Sequence, residues 1–297
     1  MAGKPSITGR MFNIANIIIL TFFSFLCFYP LWYIGINSLS SPKAIAKGVY
    51  LIPTDVSFET YKMLVNIPSL SNAIIVSVLR TVLGTALTVV CSAYVSYIIT
   101  EPDLPFKKLI YRFFIITMYF NAGFIPYYLL IKTLGLKNNF LVYIVPGAIS
   151  VFFIILIKTY IESLPSSIQE AAQIDGAGVF ALFFKVIVPL ILPILACCAV
   201  FSAVGHWNAW ADNMFFVSDS RLQTLQYLLY KSLQSNMSQI ITNNSVQAGA
   251  SAAANIKVTP QAVRLTFTFV TILPILFVYP FMQKYFVKGI MMGAVKG

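Results

Sequence analysis

Charge is what this chain has least of. Only 10% of its 297 residues are Asp, Glu, Lys or Arg, whereas a soluble globular domain carries about 25%. A hydrophobic share of 59% and a mean hydropathy of +0.83 accompany that scarcity, so the chain reads as an integral membrane protein. A single histidine, His206, excludes a metal site built from several histidines. The four cysteines, Cys27, Cys91, Cys197 and Cys198, lie inside apolar runs at spacings that fit neither a metal motif nor a disulfide framework. No Gly-x-x-x-x-Gly-Lys-Ser/Thr occurs, so the chain has no P-loop of its own. No grouping of nucleophile, base and acid is readable either, which points away from an enzyme. The net charge of +11 comes from Lys and Arg scattered singly. They match membrane-flanking anchors and not a nucleic-acid surface.

What is present is long apolar sequence. Uncharged runs at 14–36, 81–100, 113–131, 138–157, 186–211 and 265–283 are dominated by Ile, Leu, Val, Phe and Ala. Helices of that length cross about 30 Å of hydrocarbon and satisfy their own backbone. The expected fold is all-α and polytopic, one transmembrane domain over 1–297 with six spans at about 14–36, 73–100, 109–131, 138–158, 186–211 and 262–283. The first run follows Lys4 and Arg10 as a signal peptide would. Its uncharged stretch from Met11 to Pro42 is too long for a secretory h-region, and no small-residue cleavage pattern follows. Residues 232–256 also lack charge but are rich in Ser, Asn and Gln. Burying those groups in lipid costs several kcal/mol apiece, so this stretch reads as a loop.

Six spans put both termini on one side. With the termini inside, 10 of the 20 Lys and Arg are cytoplasmic, in the shorter and therefore denser segments. Basic density thus places both termini in the cytoplasm. Outside lie 37–71, a short turn near Leu134 to Asn139, and a loop over 212–261. In that loop Leu222, Leu225, Leu229 and Leu233 recur at helical spacing, an amphipathic helix lying on the protein or the interface.

Inside lies the patterned segment 161–185, with IESLPSSIQEAAQIDGAG. Pro165 suits a first helical turn, Ser167 and Glu170 have capping-box spacing, and Gly176 and Gly178 end the helix. The expected product is a helical elbow standing out of the membrane. Ala171 and Ala172 give it a low face for a partner, and Glu170 and Asp175 are available to Lys or Arg there.

This stretch resembles the cytoplasmic EAA loop of ABC importer permeases, with Glu170, Ala171, Ala172, Gly176 and Pro189 at the family's positions and Val186 and Val188 as conservative departures. LPSSIQEAAQIDGAG and the ending PFMQKYFVKGIMMGAVKG are similar to the carbohydrate-uptake branch, in its maltose-type second permease subunit. The resemblance implies a type I importer permease of a bacterial inner or plasma membrane, with a carbohydrate substrate of the oligosaccharide or polysaccharide-fragment class, acidic fragments such as those of alginate or pectin included. It implies a heterodimer with a second permease subunit, two ATPase subunits that bind ATP and Mg, and an extracytoplasmic solute-binding protein. Glu170, Ala171, Ala172, Asp175 and Gly176 would form the coupling helix against the ATPase. Gly293 to Gly297 would approach the same interface, and Asn243 to Ala254 would probe the binding protein. No cofactor belongs to the chain itself.

For the solute pathway the sequence offers two stretches. SAVGHWNAWADN at 202–213 gathers His206, Trp207, Asn208, Trp210, Asp212 and Asn213, types that suit a sugar and equally an interfacial aromatic belt. TMYFNAGFIPYYLL at 117–130 places Tyr119 and Asn121 in a span, as pathway lining or as glue between helices. Arg80 is expected to snorkel to the interface, with contact to an acidic sugar as the other reading. The competing function is a stand-alone secondary transporter or channel for a small polar solute. It calls for ionisable residues inside the spans, which are nearly bare of them.

Overall fold

The computed structural model describes residues 7–120, 122–234 and 259–294. In chain order its helices are α1 (Ile7–Ser38), α2 (Pro42–Lys47), α3 (Glu59–Val65), α4 (Pro68–Thr100), α5 (Lys107–Tyr119) and α6 (Phe124–Thr133). Short 3-10 turns at Phe140–Tyr143 and Val145–Gly147 precede α7 (Val151–Glu162) and α8 (Ser166–Ile174). Then come α9 (Val179–Leu190), α10 (Leu192–Asn208), α11 (Ala211–Phe216), α12 (Leu225–Leu233) and α13 (Pro260–Ala294). No strand occurs among the described residues, which bears out an all-α fold.

Among the described residues three helices, α1, α4 and the Pro260–Val278 part of α13, are each long and apolar enough to cross a membrane. Six crossings result if each broken pair counts as one: α5 with α6, the 3-10 turns with α7, and α9 with α10. The spans expected at about 109–131, 138–158 and 186–211 each contain a bend, and proline or glycine stands at each break. Between α9 and α10 the axis turns by 83°. Pro189 has no N–H for the carbonyl one turn back and its ring crowds that carbonyl. The strain is taken up by a widened π turn at Leu182–Ile187. Pro193 lies in the first turn of α10, where a missing N–H costs nothing. Ahead of α7 the 44° bend follows Pro146. Gly123, at φ +82°, sets the start of α6.

The chain divides into two compact units, Met1–Ile67 with Lys231–Leu273 and Pro68–Tyr230 with Pro274–Gly297. In the first, the segment after α1 is structured. The Asn37 amide donates to the carbonyls of Tyr33 at 2.8 Å and Val49 at 3.0 Å. Ser41 caps α2 by accepting the Ala44 N–H. Gly35 lets the Phe269 ring of α13 come so near that a Cβ there would meet it at 3.2 Å.

The second unit is built around α4, which packs against α7 and α10. Small residues allow the approach, as in membrane helix packing generally. Ser92 and Ser96 are fully buried on α4. The Ser92 hydroxyl accepts the Ser150 N–H at 3.0 Å, and the Ser96 hydroxyl donates to the Ile154 carbonyl at 3.1 Å. Nearer the EAA segment, Tyr97, Ile157, Ile161, Leu182, Phe183 and Ile187 form one apolar core. The amphipathic helix expected at 222–233 is α12, and it lies on the protein. Leu225, Leu228 and Leu229 are buried, the Leu225 N–H is accepted by the Ser77 hydroxyl at 2.8 Å, and the Thr224 N–H by the Asn213 amide oxygen at 2.7 Å.

Candidate functional site

Two features of the second unit bear on function. The first is α8. It ends in a Schellman motif: the Gly176 N–H reaches the Gln173 carbonyl, the Ala177 N–H reaches that of Ala172, both at 3.0 Å, and Gly176 supplies the left-handed φ of +80°. The start of the helix differs from expectation. Pro165 is the N-cap residue, with no side-chain capping bond, so the capping box of Ser167 and Glu170 does not form. A proline holds the extended φ/ψ that a cap needs without supplying an acceptor.

The two sides of α8 are unlike. Ala172 of α8, with Leu164 just before the helix and Ala177 just after it, packs on the Tyr97, Ile157 and Phe183 core, so Ala172 faces inward and does not share the outer surface expected for it. Outward lie Glu170, Ala171, Asp175 and Gly176, all exposed, together with Ile174 at 86% exposure. Ile174 is a residue that motif reading passed over. An apolar side chain standing free beside two carboxylates is its signal.

The second feature is a polar cavity of about 360 Å³ whose lining includes Arg80, Tyr127, Tyr143, Ser202, His206 and Asp212. Arg80 is only 3% exposed. It neither snorkels nor waits for a ligand, because Asp212 in the first turn of α11 takes it in a two-pronged ion pair. Its Nη1 also donates to the Ala209 carbonyl at 2.9 Å, and its guanidinium lies over the Tyr143 ring, 4.7 Å from the centroid. The Tyr143 hydroxyl donates to the Leu222 carbonyl at 2.8 Å. His206 rests on Gly84, where a Cβ would stand 2.6 Å from its Cε1. A side chain of any size at 84 would displace the imidazole.

Of the five candidate pathway residues among those described, this cavity takes in Asp212 alone. Tyr119 is exposed at the end of α5, Asn208 is exposed at the end of α10, and Asn121 lies outside the described residues. Trp207 is 9% exposed and borders a separate apolar cavity of about 100 Å³ with Val200 and Pro274. Trp210 stacks on Tyr230 at 4.1 Å between centroids. Asn213 is buried and holds the start of α12. The segments Asn243 to Ala254 and 295–297 also fall outside the described residues. Among those described, no group of His, Cys, Asp and Glu could hold a metal ion.

Comparison with known proteins accounts for the shape of the chain. No family model matches it. It is 31% identical over 291 residues to the polygalacturonan/rhamnogalacturonan transport system permease protein YtcP of Bacillus subtilis (strain 168), covering 97% of this chain and 99% of that one. Protein LplC of the same organism is 31% identical over 290 residues, covering 97% and 96%. Among solved structures, a chain of a bacterial ABC transporter involved in the import of the acidic polysaccharide alginate superimposes with a TM-score of 0.88 at 29% identity. That match covers 96% of this chain and all of the other. The full-length likeness, the apolar helices and the EAA elbow agree: the chain belongs to the permease subunits of ABC carbohydrate importers.

Proposed function

We propose that α8 is the element through which this permease subunit is driven by ATPase partners, and that the chain contributes half of a solute pathway completed by a second permease subunit. The observation that carries this reading is the two-sided character of α8. Its inner side is fastened to the core of the second unit, and its outer side leaves Glu170, Ala171, Ile174, Asp175 and Gly176 open to a partner. A helix closed by a Schellman motif and seated on a packed core moves with that core. Force applied to its outer side is then delivered to α4, α7 and α9 rather than absorbed locally.

In this reading the partner ATPases bind and hydrolyse ATP with Mg, and this chain performs no chemistry. Closure of the ATPases displaces α8, and the helices exchange inward for outward access as a two-state system biased by ATP and by a solute-binding protein. The side carrying α8 and both termini is the cytoplasmic one. The solute is an oligosaccharide, the class suggested by the LPSSIQEAAQIDGAG stretch and by the polymers in the relatives' names.

The test is uptake by the complete importer carrying Glu170→Lys or Gly176→Pro. Proline cannot adopt φ of +80°, so the second change opens the Schellman turn. Both variants are expected to insert normally and to lose ATP-dependent uptake. Wild-type uptake by both would refute the role of α8.

A further inference from the structure

The polar cavity carries a charge arrangement that bears on which sugar it can hold. Among the described residues that line it, the one Lys or Arg, Arg80, is matched by the one carboxylate, Asp212, in a two-pronged pair. The guanidinium is further committed to the Ala209 carbonyl and the Tyr143 ring. The cavity is therefore electrically balanced before any ligand enters. Tyr127 and Ser202 border it, with no hydrogen bond between either hydroxyl and a described residue, and the imidazole of His206 is held in place over Gly84. Such groups bond neutral hydroxyls. The volume, about 360 Å³, lies near the lower end of the roughly 300–1,000 Å³ of ligand sites, which is room for one sugar ring.

We propose that this cavity is a subsite for a single uncharged pyranose unit of the transported carbohydrate, and that Asp212, by neutralising Arg80, sets its preference for an uncharged unit over a carboxylated one. The proposal rests on the chain's place in a carbohydrate importer. A uronate carboxylate entering here would bring a second negative charge beside Asp212 to a guanidinium already paired, and the two carboxylates would repel each other. A ring carrying only hydroxyls brings no such charge. It can accept from Tyr127 and Ser202 and donate to His206 or to the outer edge of Asp212.

The experiment uses the complete importer in detergent and two matched pairs of probes, the methyl galactoside with the methyl galacturonoside and the methyl glucoside with the methyl glucuronoside. Binding is followed by saturation-transfer NMR. The wild-type protein is expected to bind at least one uncharged glycoside about tenfold more tightly than its uronate partner. Tyr127→Phe and Ser202→Ala are each expected to weaken that binding by about fivefold to tenfold, the worth of one hydrogen bond. Asp212→Asn leaves Arg80 unpaired and is expected to reverse the preference. The double variant Arg80→Gln with Asp212→Asn restores neutrality and is expected to keep the wild-type order, which guards against Asp212→Asn failing to fold. Equal or tighter binding of the uronates by the wild type overturns the proposal, as does indifference of binding to Tyr127→Phe and Ser202→Ala. Parallel ATP-driven uptake of a mixed oligosaccharide pool separates the two levels. Uptake without the expected binding pattern removes the subsite alone, whereas loss of all carbohydrate uptake by the intact wild-type importer removes the transport reading with it.

Discussion

Arg80 on α4 and Asp212 at the start of α11 form an ion pair across 132 residues of sequence, with the Arg80 side chain almost wholly buried and that of Asp212 24% exposed. Removing one member strands the other. Asp212→Ala is expected to destabilise the protein by about 3 kcal/mol, the lower end of the range for broken buried pairs because Asp212 keeps some water. Arg80→Met combined with Asp212→Ala should recover most of the loss, since no charge is then left unpaired. Thermal unfolding of the purified subunit followed by size-exclusion fluorescence checks both variants. A single variant as stable as the double would show that the pair does not close in the membrane.

Gly84 and His206 test the geometry of the same region by steric means. Gly84→Ala puts a methyl group 2.6 Å from the imidazole Cε1, an overlap the ring can relieve only by turning away. The cost of such overpacking is about 1–3 kcal/mol. His206→Ala clears the space, so the double variant should be more stable than Gly84→Ala alone. Additive losses in a thermal double-mutant cycle would place His206 elsewhere.

The contact of α4 with α7 depends on Ser92 in two ways, as a small residue and as the acceptor of the Ser150 N–H at 3.0 Å. Ser92→Ala removes only the acceptor and is expected to lower stability by about 1 kcal/mol. Ser92→Leu also forces the helices apart, and the larger loss, about 3 kcal/mol or more, should appear in the same unfolding assay. Equal effects of the two substitutions would mean that the helices are not in close contact at Ser92.

These three relationships show where sequence reading stopped. Apolar runs and the EAA elbow are local, so the six-span layout and the turn at Gly176 could be read from residues within a few positions of each other. Pro189 and Pro146 also stood in the sequence, yet uncharged length alone does not distinguish a straight span from a bent one. The pairing of Arg80 with Asp212 joins residues 132 positions apart. The single arginine in the uncharged body of α4 was the visible half of it, because a charge there needs a partner. Trp207, Trp210 and Asn213 were chosen by residue type, and the fold spends them on packing, stacking and the start of α12. Ala172 was assigned outward by its motif, but the fold packs it against the core together with Leu164 and Ala177, which flank α8 on either side.

Ile174 separates a docking surface from a merely exposed one. It projects from α8 at 86% exposure, so replacing it removes almost no contact within the chain. Ile174→Asp is therefore expected to leave the thermal stability of the isolated subunit within about 0.5 kcal/mol of wild type, as for surface substitutions generally. If α8 seats in a partner ATPase, the same change buries a new carboxylate in that interface. The expected loss is about 2 kcal/mol or more of binding, some thirtyfold in affinity. Pull-down of the ATPase from membranes carrying wild-type or Ile174→Asp permease reads this directly. Ile174→Leu, which keeps the apolar contact, should copurify the ATPase as the wild type does. Undiminished ATPase recovery with Ile174→Asp would mean that the partner docks without using this side of α8, and the coupling contact would then have to be sought on the α9 side of Gly176.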